Sequence, residues 1–214
     1  MSSLYWDDFE RRISETVSAV NSKTKPPVRR VAVFITNRCN FRCHYCNVNQ
    51  NEKTLSEEAF NGIINRYGSG AIIHITGGEP SVVPWLYSYM ENRKDVRFHL
   101  NTNAYLAPPK NIKRLKVSLD TQYKDYFNFL IGVNFNAFDS VVENIRQACK
   151  NTVVSITYTL TKENHKDSVE FAKWALKQFP GLYAVFFSVY KGDNKRFKFD
   201  DLSVKVFLIR CYLS

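Results

Sequence analysis

Three cysteines stand close together in the first quarter of this sequence, at Cys39, Cys43 and Cys46. Their spacings of four and three residues allow three thiolates to converge on one inorganic cluster from a single loop. Structural zinc usually takes a fourth ligand from a second, similarly spaced pair, and neither Cys149 nor Cys211 belongs to such a pair. A four-iron cubane cluster normally takes four thiolates, so three thiolates leave one iron open to a substrate or cofactor. The pattern therefore predicts a catalytic iron–sulfur site.

Cysteine usage also bears on where the protein resides. The chain has five cysteines, an odd number that argues against a disulfide framework and for thiols in a reducing compartment. Residues 1–8 carry acids where a secretory signal would need a basic start and an apolar stretch. No run approaches the ~18 apolar residues that a membrane-spanning helix needs. We therefore expect a cytoplasmic protein without a membrane partner.

A second segment suited to ligand binding has the sequence TGGEP, at residues 76–80. Two glycines allow the backbone to come close to a bound ligand, and the carboxylate beside them can accept hydrogen bonds from an ammonium group. This segment directly follows an apolar run, as do the segments NTN at residues 101–103 and SLD at residues 118–120. All three segments are therefore expected at the ends of strands.

Six apolar, β-rich runs separated by helical patterns or loops predict a parallel β/α sheet. These runs are residues 31–36, 71–76, 96–101, 115–119, 153–160 and 184–190. A complete eight-unit barrel needs ~250 residues, so a chain of 214 residues with six strands predicts an α/β fold of the partial (β/α)6 TIM-type barrel class. Ligands of such folds bind at the carboxyl ends of the strands, where the chemistry-bearing segments lie.

An amphipathic helix is predicted before the barrel, because apolar residues recur at spacings of three and four. They are Trp6, Phe9, Ile13, Val17 and Val20. The sequence KTKPP at residues 23–27 then reads as a linker. We accordingly divide the chain into an N-terminal helix and linker (residues 1–27), a partial barrel (28–199) and a short C-terminal tail (200–214).

The cysteine triad, with aromatic Tyr45 before its third member, and the GGEP segment together resemble the signature of the radical S-adenosylmethionine (radical SAM) superfamily. The resemblance implies a [4Fe–4S] cluster on Cys39, Cys43 and Cys46, with SAM as the second cofactor. The residues that it places at SAM are Tyr45, Gly77, Gly78, Glu79, Pro80, Asn103, Ser118 and Asp120.

Individual roles follow from the same resemblance. Glu79 would accept the amino group of the methionine moiety, Tyr45 would contact the adenosyl part, and Ser118 would contact the carboxylate or ribose. For Asp120 a second interpretation stays open, in which it caps the segment that begins at Thr121. No residue is identified as the group that acts on the substrate.

The resemblance implies an enzyme that cleaves SAM reductively to a 5′-deoxyadenosyl radical, which then abstracts hydrogen from a substrate. A reductant such as flavodoxin or ferredoxin would supply the electron. Within the superfamily the motifs are most similar to the group of the molybdenum-cofactor cyclase and the peptide maturases. The chain lacks the auxiliary-cluster cysteines of that group, and His74 stands where the cyclase has an arginine, which argues against a purine triphosphate substrate.

The net charge of +10 favours anionic partners, although a generally basic solvated surface is the simpler interpretation. A peptide, protein or phosphorylated substrate would fit this charge and the wide mouth of a partial barrel. The basic residues expected to recruit such a substrate are Lys191, Lys195, Arg196 and Lys198. Two other classes stay open: a non-catalytic iron–sulfur electron-transfer or sensor protein, and an RNA-binding module, which is suggested by charge without any module signature.

Overall fold

Six parallel strands in sequential order form the centre of the protein. The computed structural model describes residues 3–199, with side chains from residue 10 onward. The strands are β1 (Arg30–Thr36), β2 (Ile72–Gly77), β3 (Arg97–Thr102), β4 (Arg114–Ser118), β5 (Val153–Leu160) and β6 (Ala184–Val189). All five neighbouring pairs are parallel, and β1 and β6 form the two edges of the sheet. This arrangement confirms the predicted partial barrel.

Helices follow most of the strands. They are α1 (Ser3–Asn21), α2 (Glu57–Tyr67), α3 (Leu86–Asn92), α4 (Lys124–Ile131), α5 (Phe138–Ala148) and α6 (Ser168–Gln178). Helix α2 begins where the sequence indicates, because the Ser56 hydroxyl accepts a hydrogen bond from the backbone N–H of Ala59 at 3.2 Å. None of the helices described here has the length and apolar character needed to cross a membrane.

Two helical patterns in the sequence are longer than the helices that form. Residues 82–92 have helical spacing, yet Pro84 lacks a backbone donor, and the chain makes a 3-10 turn (Pro80–Val82) before α3 begins at Leu86. Residues 162–178 also read as one helix, whereas a turn around Asn164 delays α6 until Ser168. The aromatic stretch at residues 123–129, by contrast, lies largely within α4.

The two faces of the sheet differ in character. On β2, Ile73 and Ile75 are fully buried against the helices, whereas His74 and Thr76 point to the opposite face and are partly exposed. The buried face belongs to one apolar core that includes Phe60 of α2 and residues of α3, α5 and α6. The opposite face is the concave interior of the open barrel. The predicted tail, residues 200–214, lies outside the described residues.

Candidate active site

The three cysteines of the triad line one cavity of about 430 Å³ at the carboxyl end of β1. They lie on the cluster loop, which we define as residues 37–53. Cys39 and Cys43 are partly buried, and Cys46 is exposed. The loop is anchored between the first two cysteines by Phe41, which is 2% exposed and packs in the apolar core. Three thiols are thereby presented to one space.

Backbone hydrogen bonds fix the cluster loop where its two ends meet and in its middle. At its start, the N–H of Asn37 donates to the carbonyl of Lys53 at 2.8 Å, which folds the loop back on itself. In its middle, the N–H of Arg42 donates to the carbonyl of Ile131, also at 2.8 Å, at the end of α4. Gly132 follows with φ +61°, and a Cβ there would lie 2.4 Å from the Arg42 carbonyl oxygen. The loop that bears the cysteines is therefore closed on itself and also fastened to the barrel at the end of α4.

The chemistry of these thiols suits an iron–sulfur cluster. Burial raises the pKa of Cys39 to about 11 and raises the pKa of Cys43 further, so both are neutral thiols without metal and lose a proton on binding iron. Among the described residues no three His, Cys, Asp or Glu side chains converge as ligands of a single metal ion. A cubane cluster differs because each thiolate binds a different iron, so sulfurs spread around a cavity fit it.

Gly77 and Gly78 bring the end of β2 against the cluster loop. A Cβ on Gly77, whose φ is +137°, would lie 2.4 Å from the Thr36 carbonyl oxygen, and one on Gly78 would lie 2.1 Å from that of Arg38. The close approach permits two backbone hydrogen bonds, from Gly78 to Thr36 at 2.7 Å and from Glu79 to Arg38 at 2.8 Å. The two glycines thus allow the GGEP segment to lie against the cluster loop, whether or not they also approach a ligand.

Glu79 joins the ends of β2 and β3. It is 1% exposed, and its Oε1 accepts hydrogen bonds from the Thr102 hydroxyl at 2.7 Å and the Ser81 N–H at 3.0 Å. Its Oε2 accepts one hydrogen bond, from the Asn103 N–H at 2.7 Å. Burial raises the pKa of Glu79, and these donors oppose the shift. Pro80, which is also buried, begins the 3-10 turn that Glu79 caps.

Asn103 connects the same strand end to the cluster loop. Its side-chain amide donates to Oδ1 of Asn40 at 2.8 Å, directly beside the first cysteine of the triad. Its own Oδ1 accepts from the Tyr105 N–H at 3.0 Å. The structure therefore brings the cluster loop, the GGEP segment and Asn103 into one continuous network, as expected for residues at adjacent strand ends.

Tyr45 and Asp120 form a second pair. The Tyr45 hydroxyl donates to Oδ2 of Asp120, and the backbone N–H of Thr159 donates to Oδ1. Asp120 is 4% exposed, and burial raises its pKa to about 6. Asp120 thus joins the cluster loop to β5, a contact that neither interpretation of the sequence anticipated.

Ser118 stands apart from both groups. It is the last residue of β4, is exposed, and forms no side-chain hydrogen bond within the described residues. Its Cα pairs with that of Thr157 on β5. Its hydroxyl is accordingly available to a ligand at the barrel mouth, and its proposed contact with SAM stays a prediction.

Sequence reasoning missed several residues that build the site. Asn164 is 2% exposed, and its amide donates to the carbonyls of Asp120 at 3.3 Å and Thr159 at 3.0 Å. It thereby links the residue that follows Leu119 after β4 to strand β5. Asn40 and Thr102 support Asn103 and Glu79. Asn40 and Thr102 could have been found because each is a polar residue next to a predicted site residue in the sequence. Nothing in the sequence around Asn164 pointed to the site.

Related proteins support the sequence resemblance. A probable GTP 3′,8-cyclase of Sulfurisphaera tokodaii is 28% identical over 155 residues, covering 64% of this chain and 49% of that protein. A GTP 3′,8-cyclase of Campylobacter fetus is 31% identical over 136 residues, covering 55% and 42%. The chain thus spans about half the length of the relatives that it matches.

Solved structures share the fold at low sequence identity. Streptococcus suis SuiB bound to S-adenosylmethionine superposes with a TM-score of 0.65 at 15% identity, covering 92% of this chain and 49% of that one. Native anSMEcpe with bound AdoMet gives a TM-score of 0.63 at 18% identity, covering 80% and 56%. The sequence itself matches the Radical SAM superfamily over residues 33–175, a stretch that includes the cysteine triad and the GGEP segment. With that match across most of the barrel, the chain belongs to the radical SAM superfamily.

Proposed function

We propose that this chain is the catalytic barrel of an enzyme that cleaves SAM reductively at a single [4Fe–4S] cluster held by Cys39, Cys43 and Cys46. A [4Fe–4S] cluster and SAM are the cofactors of its superfamily. One observation carries the proposal: three thiols line one cavity, and the loop that bears them is fastened directly to the GGEP segment. A cluster and a ligand at these two motifs would be neighbours.

The bound cluster would supply an electron to the sulfonium of SAM, giving methionine and a 5′-deoxyadenosyl radical that takes a hydrogen atom from the substrate. The protein's part is to hold the two cofactors in contact, orient them and exclude water. Glu79 suits the methionine ammonium, because a carboxylate has about four acceptor positions and its Oε2 uses one of them. Ser118 is free to contact the carboxylate or ribose.

The relatives are named for GTP, and one SuiB structure holds the precursor peptide SuiA, so neighbours of this chain act on different substrates. Because the chain spans about half of those relatives, their substrates do not transfer to it directly. What the shared barrel supports is the generation of the radical. The electron donor, which we propose to be a flavodoxin or ferredoxin, can be replaced by dithionite in a test.

The test is SAM cleavage by anaerobically reconstituted protein with dithionite as reductant. We expect 5′-deoxyadenosine and methionine to form in equal amounts, and only when reductant is present. An electron-transfer or sensor protein would take up iron without cleaving SAM. An RNA-binding module would instead show RNA affinity that falls steeply with salt. Either pattern without reductive cleavage would contradict the proposal.

Replacing Glu79 by alanine is expected to weaken SAM binding by about ten- to a hundredfold, since a hydrogen bond to a charged group contributes roughly 1.5–3 kcal/mol. Iron content should stay close to that of the wild type, because the three cysteines lie on another loop. Equilibrium dialysis with labelled SAM and iron analysis of the same sample measure both quantities.

Glu91→Ala is the matched control for this change, because Glu91 is an exposed glutamate of the neighbouring helix α3. Glu79 also accepts three internal hydrogen bonds, so its loss will lower stability as well. Unchanged SAM affinity in a folded Glu79→Ala protein would leave Glu79 with its structural role alone. Loss of iron together with SAM would show that it mainly supports the cluster loop.

A further inference from the structure

A second cavity, of about 260 Å³, lies on the concave face of the barrel. We call it the concave pocket and define it by the basic residues Arg30, His74, His99, Arg114 and Lys116, with Phe186 as an aromatic wall. Register explains why these residues meet: His74 is paired with His99 across β2 and β3, and His99 with Arg114 across β3 and β4. Four neighbouring strands thus direct basic side chains into one space.

Among the residues that the structure describes, no carboxylate lines this pocket. Arg30, Arg114 and Lys116 form no ion pair within the part of the chain that the structure describes. Burial, together with the charges of Arg114 and Arg30, lowers the pKa of Lys116. Like charges held together on a partly buried face repel one another, and an anion would relieve that repulsion.

The aromatic wall orients two of these cations. The Arg114 guanidinium lies 5.6 Å from the centre of the Phe186 ring, and the Lys116 ammonium lies 5.9 Å from it. Such cation–π contacts hold the stems in place without neutralising either charge. The two charged groups are therefore ordered and still able to bind an anion.

The two histidines are neutral, and His99 adds a donor, whereas Nε2 of His74 already faces Oδ1 of Asn101 at 2.9 Å. Burial and the charges of Arg30 and Arg114 lower the pKa of His99 to about 3, and burial also lowers the pKa of His74. The Arg30 guanidinium donates to Nδ1 of His99 at 3.3 Å, so the proton of the neutral His99 ring lies on Nε2. That N–H can donate to a bound oxygen. The pocket consequently combines three cations with an imidazole donor.

We propose that the concave pocket binds a phosphate group of the enzyme's small-molecule substrate. The inference rests on the proposed function, because it gives that reaction its substrate class. A dianionic phosphate presents several acceptor oxygens and matches these three cations better than a single carboxylate does. Both groups offer anionic oxygen to the same donors, so the test includes each of them.

The position of the pocket sets the length of that substrate. His74 lies three residues before Gly77 on β2, and a strand rises ~3.3 Å per residue, so the pocket is ~10 Å from the strand ends where the cluster loop lies. Thr76 continues the concave face between them and accepts a hydrogen bond from the Asn101 amide at 3.4 Å. A substrate with its phosphate in the pocket would place a carbon about that far away at the proposed radical.

The basic residues after β6 are less suited to this role. Arg196 forms an ion pair with Glu163 at 2.5 Å, and Lys198 one with Asp193 at 3.4 Å, which offsets half of the four charges that the sequence singled out. Lys191 and Lys195 are exposed and do not line the concave pocket. They provide a control in which the same charge is removed elsewhere.

The experiment is calorimetric titration of the reconstituted full chain with inorganic phosphate, pyrophosphate and succinate at low salt. We expect saturable binding of phosphate and pyrophosphate at one site, and much weaker binding of succinate. The double change Arg114→Gln and Lys116→Gln should weaken pyrophosphate binding at least about tenfold, whereas Lys191→Gln with Lys195→Gln should leave it unchanged. Circular dichroism of both variants establishes that they are folded.

Three results would overturn the assignment: no saturable binding of phosphate or pyrophosphate by the wild type, succinate binding as tightly as phosphate, or equal losses in the two double variants. The wild-type titration decides the matter even if a variant fails to fold. SAM cleavage without substrate is measured on the wild type and on the variant with Lys191→Gln and Lys195→Gln, and it should not differ between these two. Cleavage without anion binding would reject the pocket alone, and anion binding without cleavage would reject the proposed function.

Discussion

Replacing Cys39, Cys43 and Cys46 together by alanine is expected to abolish both cluster binding and SAM cleavage. These thiols line the cavity in which the cluster is proposed to bind, and each would hold one iron. Iron and sulfide analysis after anaerobic reconstitution should fall from about four of each per chain to background. Reductive formation of 5′-deoxyadenosine should fall below detection in the same samples.

The control for this variant keeps the triad and removes another thiol. Cys149→Ala is suitable because Cys149 is a partly buried free cysteine at the end of α5, next to Gly181 and away from the triad. Its iron content and activity should match the wild type. Retention of about four irons by the triple variant would contradict the assignment of the ligands. Parallel loss in Cys149→Ala would instead point to a general effect on folding.

The order of strands and the strand ends that carry the candidate site could be read from the sequence, because both depend on local pattern. Runs such as residues 71–76 and 153–160 are apolar enough to be strands, and polar segments follow them directly. The helix after β2 was predicted too long, since Pro84 interrupts an otherwise regular pattern. The positions of the strands in the sequence were therefore easier to predict than the lengths of the helices.

Contacts between strand ends could not be read in the same way. Glu79 and Asn103 were both expected near SAM, yet the hydrogen bond between them depends on how β2 and β3 lie side by side. The pairing of Tyr45 with Asp120 joins residues 75 positions apart. No local pattern encodes such a distance, so the sequence indicated which residues meet at one end of the barrel and not which of them touch.

The concave pocket shows the same limit for charge. The net charge of +10 can be counted from the sequence, but which basic residues share a pocket depends on the direction of their side chains. Arg114 and Lys116 are two residues apart on β4 and share a face, and only the strand register places His99 beside them. Charges counted along the chain pointed instead to the segment after β6, where Arg196 and Lys198 are paired.

Gly78→Ala is expected to lower the rate of SAM cleavage per cluster by about a hundredfold, because displacing a reacting group by ~1 Å can cost that much. The new Cβ would lie 2.1 Å from the Arg38 carbonyl oxygen, a backbone atom that cannot move without moving the cluster loop. Overpacking of this kind costs typically 1–3 kcal/mol of stability. It would also weaken the hydrogen bonds from Gly78 to Thr36 and from Glu79 to Arg38.

Gly62→Ala is the matched control for Gly78→Ala, since a Cβ at Gly62 in α2 would meet no atom within 4 Å. There alanine should raise stability by roughly 0.5–1 kcal/mol through its higher helix propensity and leave cleavage unchanged. Thermal unfolding and cleavage rates normalised to bound iron separate the two effects. If Gly78→Ala behaves like Gly62→Ala in both measurements, the close contact between the GGEP segment and the cluster loop does not control the reaction. A loss confined to stability would show that the contact supports the fold while the cofactors are positioned by other residues.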